Sequence, residues 1–494
     1  MAGEDKTESQ QKHICVIGAG ISGLRAASVL IQNGFHVTIL EARDRIGGRI
    51  CQSSRLGAAV DLGASWIHGT EGNPFVELAR DTGTVTAACG AVSSICDSHG
   101  EWVDRDLAQR LYRDVWDILE IASASSKEQY TTLQADARLK DYFHNLVEEK
   151  RIGGIVTQED QHLLELIVEM WGAFMGADFE TQSLKNFWLD ESLPGDNLFV
   201  APTFKAILDR IAQDAVSQGT LKLNCEVIRI ESRPSERNSI LVEGRDGSRG
   251  IFDQVVVTAP LGWLKRNQHV FHPPIPDRLS CAIGNLGYGN LDKVFISFPK
   301  AFWDNDPVED GTKSPSFPIE SLFLSPLYAE HTNPARWRQE IISYSGLLAK
   351  YAHPTVMFFV YGQWGRNITG LVRGMRQDSD EYYRILDNSF RPYYSKLPNY
   401  KADAPYCVPR AFLSTDWQAD EYAGYGSYTD FPVGVEDGAG DLELLRQGMG
   451  IERGVWFAGE HTSPTSGLGT VTGAYWSGEQ VATRITQLYR EELA

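Results

Sequence analysis

Cysteine is sparse and scattered. The seven residues (Cys15, Cys51, Cys89, Cys96, Cys225, Cys281 and Cys407) are odd in number and never spaced as C-x-x-C. That excludes a disulfide framework and a zinc site, and it leads to the expectation of a reducing compartment, the cytosol by default, and of no bound metal. Long apolar runs are missing too, since no window approaches the roughly 18 residues a membrane span requires. The N-terminal MAGEDKTESQQKH has no signal-peptide core, and the C-terminal QLYREELA is neither a membrane tail nor a peroxisomal address. Membrane association is not expected. Cations are in short supply: 46 Lys and Arg against 65 Asp and Glu leave a net charge of −19. Such a surface repels nucleic acid and draws in a cationic partner, unless the charge serves only solubility. No H-E-x-x-H, G-x-S-x-G or Walker spacing is present, which removes the main support for metalloprotease, hydrolase and P-loop readings. Internal repeats and low-complexity tracts are also absent.

What is there is a chain of 494 residues, 42% hydrophobic, long enough to bury a large core in more than one lobe. From His13 to Leu40 an apolar run, a glycine turn, a small-residue stretch (Leu24 to Gln32) and a second apolar run predict a βαβ unit. Apolar stripes over Asp106 to Ile121 and His162 to Met175 predict helices, so the stretch from about 105 to 215 reads as mostly helical. Beyond Gly219 the texture turns to strands: Leu221 to Glu231, Ser239 to Glu243, Val255 to Val257, Val294 to Phe298 and Thr355 to Tyr361. Residues 272–276 and 304–319 read as surface loops.

Gly18-Ala-Gly20-Ile-Ser22-Gly23 follows a strand and opens a helix, where backbone amides and the helix N-terminus can hold a pyrophosphate. The second strand ends at Glu41, 23 residues after Gly18, which places a carboxylate to accept ribose hydroxyls. A second glycine turn, Arg43-Asp-Arg45-Ile-Gly47-Gly48-Arg49, is flanked by guanidinium groups and suits a long diphosphate and ribityl chain, so it favours FAD over NAD.

With these residues the chain resembles the flavin-dependent amine oxidases, the family of monoamine oxidases, polyamine oxidases and flavin histone demethylases. Further islands carry the likeness in the family's order: Gly63-Ala64-Ser65-Trp66-Ile-His68-Gly69, Val255 to Lys265, Leu291-Asp-Lys293-Val, Trp417 to Tyr428, Phe457-Ala-Gly459-Glu460-His461, and on to Gly478. The resemblance implies that Gly18, Gly20, Ser22 and Gly23 surround the pyrophosphate and that Glu41, with Ala42 beside it, binds the adenosine ribose. Arg43, Gly48 and Arg49 would meet the diphosphate and ribityl region, Gly63 to Trp66 and Trp417 the flavin, and Val227 the adenine. Gly459 and Glu460 would begin a second cofactor segment. Gly469-Thr470-Val471 would open a helix whose amides stabilise negative charge on the reduced flavin.

Lys293 alternates with Leu291 and Phe295 on one strand face, where an apolar residue would cost less. Desolvation favours its neutral amine, and in the resembled family a lysine here holds a water against the flavin. The alternative is a lysine snorkelling from an edge strand. His68, by the same resemblance, faces the substrate; a neutral imidazole could accept from or deprotonate an ammonium. Tyr428 matches one aromatic wall of the monoamine oxidase cage, but Thr470 stands where the other wall would be. Ser427 stands where members with covalent flavin carry cysteine, which implies non-covalent FAD.

The resemblance thus implies an FAD enzyme that oxidises the C–N bond of an amine with O₂ as acceptor, yielding an imine and H₂O₂. The open cage, His68 and the acidic balance point to a long polyamine, with another bulky or long-chain amine as the second reading and a non-catalytic flavin scaffold as the third. Glu71, Asp190 and Glu191 are candidates to hold distal substrate cations. The expected fold is α/β: a Rossmann-type FAD lobe from 12–85, 218–290 and 407–494, interleaved with a substrate lobe of helices and mixed sheet from 86–217 and 291–406. Neither the particular amine nor the oligomeric state is legible.

Overall fold

The computed structural model describes residues 11–88, 94–154, 156–233, 239–304, 317–348, 350–464 and 466–491; Cys89 and most of the 304–319 loop lie outside them. The βαβ unit is present as β1 (His13–Ile17), α1 (Ile21–Gln32) and β2 (His36–Leu40). Ile14 to Ile17 are all buried, the pattern of a strand covered on both faces, and β1 lies mid-sheet with Val16 between Val256 and Ile39. The sheet has five parallel strands in the order Val455–Phe457, Gln254–Val257, β1, β2, Thr220–Lys222. One face is covered by α1 and the helices Lys205–Gln218 and Val471–Glu491. A second core, on the other face, takes in the four-stranded sheet of Val227–Arg233, Ser239–Gly244, Arg249–Phe252 and Phe271–His272.

A six-stranded sheet runs in the order Ala411–Ser414, Leu291–Ser297, Thr355–Tyr361, Gln339–Ser343, Glu320–Phe323, Ile95–Cys96, antiparallel except for its last pair. One of its faces packs on Phe199, Trp66 and Leu62. The helices Arg105–Glu128, Leu139–Ile152 and Gln158–Val168 share a core with Leu322 and Tyr361 of the sheet. The molecule is therefore a mixed α/β structure with several sheets.

Four differences from the sequence reading have local causes. The stripe over His162 to Met175 belongs to two helices, Gln158–Val168 and Trp171–Met175, because apolar spacing does not register the break between them. The helical stretch contains a strand, Leu198–Ala201, which pairs with Trp66–Ile67 and Val85–Ala88. Leu221 to Glu231 is two strands, Thr220–Lys222 and Val227–Arg233, parted at Asn224, whose φ of 55° turns the chain. Ala411–Ser414 pairs with Leu291–Ser297, so this part of the 407–494 segment belongs with the six-stranded sheet.

Candidate active site

The glycine loop after β1 separates packing from access. A Cβ on Gly18 (φ 104°) would fall 2.5 Å from Thr258 Oγ1, and one on Gly23 would fall 2.0 Å from the Gly18 carbonyl oxygen. A Cβ on Gly20 would meet nothing within 4 Å. Gly18 and Gly23 therefore close the turn, while Gly20 borders open space at the amino end of α1. The second glycine turn backs the first: Gly47 N donates to Ala19 O (2.8 Å), and Gly48 (φ 59°) abuts Gly20. Ser22 Oγ is spent on Ser477 Oγ (3.1 Å), a contact between helices, so it joins the loop through its backbone alone.

Glu41 is buried at the end of β2 and accepts from the amides of Ala19 (2.7 Å) and Arg43 (2.8 Å). The segment Glu41-Ala42-Arg43 is strapped to the turn before Val227 by Cys225 N to Glu41 O (2.8 Å) and Asn224 N to Arg43 O (2.9 Å). Arg43 pairs with Asp420 at 2.8 Å. Arg49 donates to Glu460 Oε1 (3.1 Å), to Ser427 O (2.5 Å) and to Tyr288 Oη (3.3 Å), and Glu460 Oε2 accepts from Thr429 N (3.3 Å). Gly459 N donates to Ser477 Oγ (2.9 Å). His461 beside it is fully buried with neither ring nitrogen partnered among the described residues, and burial pushes its pKa down to about 4.

Thr470 caps the helix Val471–Glu491. Its Oγ1 accepts from Gly473 N (3.1 Å) and donates to Gly467 O (2.7 Å). The amides of Val471 and Thr472 are used by no described hydrogen bond, so the helix offers two donors. A Cβ on Gly469 would lie 3.7 Å from the Tyr428 side chain, which brings this turn against the aromatic ring. Tyr428 donates to Phe174 O (2.5 Å), and burial pushes its phenol far above the usual range.

Lys293 lies on an inner strand, flanked by Phe359 and by the strand Ala411–Ser414, and only 5% of it is exposed, which removes the edge-strand alternative. Its Nζ donates to Gly63 O (2.5 Å), Asp61 O (3.1 Å) and Ser65 Oγ. Desolvation lowers its pKa to about 8, against the opposing charges of Asp61 and Glu340. Asp61, also buried, is raised to about 7 by desolvation and held down by Lys293. The lysine thus fixes the Gly63 to Ser65 segment. On its other side Trp417 donates to Leu62 O (3.0 Å), and a Cβ on Gly63 would sit 1.6 Å from Arg49 O and 3.5 Å from the Trp417 ring. Ala64 is half-buried between these contacts, and Trp66 meets Phe199 edge-on at 5.1 Å.

Burial lowers the pKa of His68, and a hydrogen bond that its ring donates to Asn197 opposes the shift. Sequence reading missed Asn197, for a lone Asn in a loop carries no signal. It also missed Asp292, which is fully buried and accepts from Thr415 Oγ1 (2.7 Å), Trp417 N (2.7 Å) and Gln418 Nε2 (3.3 Å), so placing Trp417. The signal was available: a carboxylate next to a buried lysine on a strand points into the opposite face. Of the candidate distal carboxylates, Glu71 and Glu191 are exposed, the latter 4.0 Å from Lys127. Asp190 is half-buried, its pKa raised by burial and by Asp430.

No group of three or more His, Cys, Asp and Glu able to hold a metal occurs among the described residues. The open space at Gly20, the two amides, the His461 ring without a partner among the described residues, the Glu41 carboxylate beside the glycine loop and the Arg49 guanidinium after the second glycine turn suit a long dinucleotide such as FAD.

Residues 21–486 match the profile of the flavin containing amine oxidoreductases, and the chain belongs to that family. It is an FAD-dependent amine oxidase. Among its relatives, probable polyamine oxidase 4 of Arabidopsis thaliana is 31% identical over 315 residues, 61% of each chain. Polyamine oxidase 4 of Oryza sativa subsp. japonica is 30% identical over 94% of this chain and 86% of its own. Lysine-specific histone demethylase 1B homolog of Caenorhabditis elegans is 24% identical over 99% of this chain and 58% of its own.

Proposed function

We propose that this amine oxidase acts on polyamines: spermine, spermidine or their N-acetyl forms lose hydride at a carbon beside nitrogen, the imine hydrolyses to aldehyde and amine, and O₂ becomes H₂O₂. The observation that carries the reading is the setting of Lys293, a buried amine fixed on the Gly63 to Ser65 segment, in a chain that also holds a buried-phenol Tyr428 and a neutral His68. The relatives named polyamine oxidases support it.

FAD supplies, when bound, acceptance of the hydride and delivery of its electrons to oxygen. The chain would hold it non-covalently, since Ser427 exchanges hydrogen bonds with Leu291 (2.9 Å each) and offers no thiol. In this reading Gly18 to Gly23 hold the pyrophosphate, Glu41 the ribose, Val227 the adenine, and Arg43, Gly48 and Arg49 the diphosphate and ribityl chain. Gly63 to Trp66 and Trp417 border the ring system, with Gly459, Glu460 and the amides that follow Gly469 at its polar end. His68, neutral near pH 7, accepts a proton or hydrogen bond from the incoming ammonium, so that the reacting nitrogen has a free lone pair. Lys293, with a pKa near neutrality, holds or moves a proton at Nζ. Tyr428 forms one wall and Thr470, whose hydroxyl is turned into its helix cap, presents a small second wall that leaves room for a long chain.

The lobes belong to the same proposal. A Rossmann-type FAD lobe comprises 12–85, 218–290 and 407–494, less the strand Ala411–Ser414, and the substrate lobe comprises 86–217 and 291–406 with that strand. A cytosolic setting is supported by the six described cysteines, all free. The test is an anaerobic visible spectrum of the purified holoenzyme during addition of spermine, spermidine, their N-acetyl forms and simple monoamines. Bleaching by a polyamine is expected; a flavin bleached by dithionite but by no polyamine would overturn the reading.

A further inference from the structure

We propose that Glu340 and Glu320 form a second ammonium subsite, which binds a cationic nitrogen remote from the reacting one; the assignment rests on the amine-oxidase reading and adds the residues that would select a polycation. Strand register brings them to the site. Lys293 pairs with Phe359, Phe358 pairs with Ile341, and Glu340 pairs with Leu322, so Lys293, Phe359 and Glu340 form one row on one face of the six-stranded sheet. Glu320 pairs with Ile342 and occupies the next row of that face. With strands about 4.8 Å apart, Glu340 lies about 10 Å from Lys293 along the row and Glu320 one strand further. Phe359 between them, its ring 5.7 Å from Lys293 Nζ, is an apolar floor for a methylene chain.

Glu340 is 6% exposed, yet its carboxylate makes no hydrogen bond or ion pair among the described residues. Glu320 has one such partner, the Tyr112 hydroxyl at 3.5 Å. A buried carboxylate beside a half-buried one without a cation is costly, and among the described residues the one cation whose charge acts on Glu340 is Lys293, already held by Gly63, Asp61 and Ser65. Glu340 is also near enough to Lys293, Tyr428 and Tyr112 for their charges to interact, which ties it to the candidate active site. Burial holds both carboxyls above the usual range, Glu320 at about 7, as for acids whose counter-ion comes from outside. A substrate with one nitrogen at Lys293 and another an alkyl spacer or two away meets this description; a simple monoamine does not.

The test is calorimetry on holoenzyme whose flavin has been reduced with dithionite under argon, so that no turnover intervenes, with spermine and butylamine as probes. Glu340→Gln and Glu320→Gln keep the shape and remove the charge; each is read separately, so loss of one preparation leaves the other decisive. Spermine affinity is expected to fall roughly 10- to 100-fold in each variant, while butylamine affinity stays within about twofold. Unchanged spermine affinity, or equal losses for both amines, overturns the subsite. The oxidised wild-type protein, tested in parallel, separates the two readings. Spermine binding that depends on these carboxylates but does not bleach flavin sinks polyamine oxidation alone, whereas bleaching with unaltered variants sinks the subsite alone.

Discussion

Lys293 is the residue whose environment is most at odds with its chemistry. Its amine is desolvated, its pKa is about 8, and its three acceptors all lie between Asp61 and Ser65. Lys293→Met keeps the volume and removes the proton. We expect retained FAD absorbance with flavin reduction or reoxidation slowed roughly 100-fold in stopped-flow traces; rates equal to wild type would show that the amine has no part in turnover. Stability should respond as well. The folded pKa lies below the ordinary 10.5, so between about pH 8 and 10.5 the unfolded chain binds more protons and stability rises with pH. Urea midpoints measured across that window should climb less in Lys293→Met than in the wild type, and parallel curves would exclude the linkage.

At the scale of elements, the loop from β1 to α1 separates two uses of glycine. Gly23→Ala sets a Cβ on the Gly18 carbonyl and should lower yield and thermal stability whether or not flavin is present. Gly20→Ala touches no protein atom, so a folded protein by circular dichroism that releases FAD more than about 10-fold faster is expected, the pyrophosphate space being narrowed. If both variants behave alike, Gly20 does not border the cofactor. Thr470→Val removes the helix cap while keeping the side-chain volume and should cost about 1 kcal/mol in a denaturation series. These elements were legible because their signals are local: glycines at fixed spacing, a carboxylate ending β2, apolar runs four residues long. Glu340, Glu320 and Asn197 were not, because each acquires its role through a partner far away in the chain. Nothing in a window around residue 340 announces that it will stand in line with Lys293. That follows only from the pairing of three strands.

The whole molecule carries a charge of −19. For a polycation the encounter rate should therefore fall with ionic strength, as surface charges beyond about 8 Å are screened at physiological salt. kcat/KM for spermine measured from low to high salt should drop several-fold, while that for a monoamine changes less; identical salt profiles would reduce the charge to a solubility device. The alternation of helical and strand-rich stretches was visible along the chain, but which sheet each short strand joins was not. Ala411–Ser414 has the look of any short strand, and only its hydrogen bonds to Leu291–Ser297 assign it to the six-stranded sheet.

The strand Leu291–Ser297 carries two opposite charges in succession, each buried on its own side. Asp292 receives the chain around Trp417, and Lys293 receives the segment from Asp61 to Ser65. A slip of one residue during folding would exchange them, setting a carboxylate against carbonyl oxygens and an ammonium against amide hydrogens, and both sides would repel at once. The pair thus acts as a proofreading mark: the two charges that anchor the segments on either side of the strand also reject a register in which the lysine would be out of place.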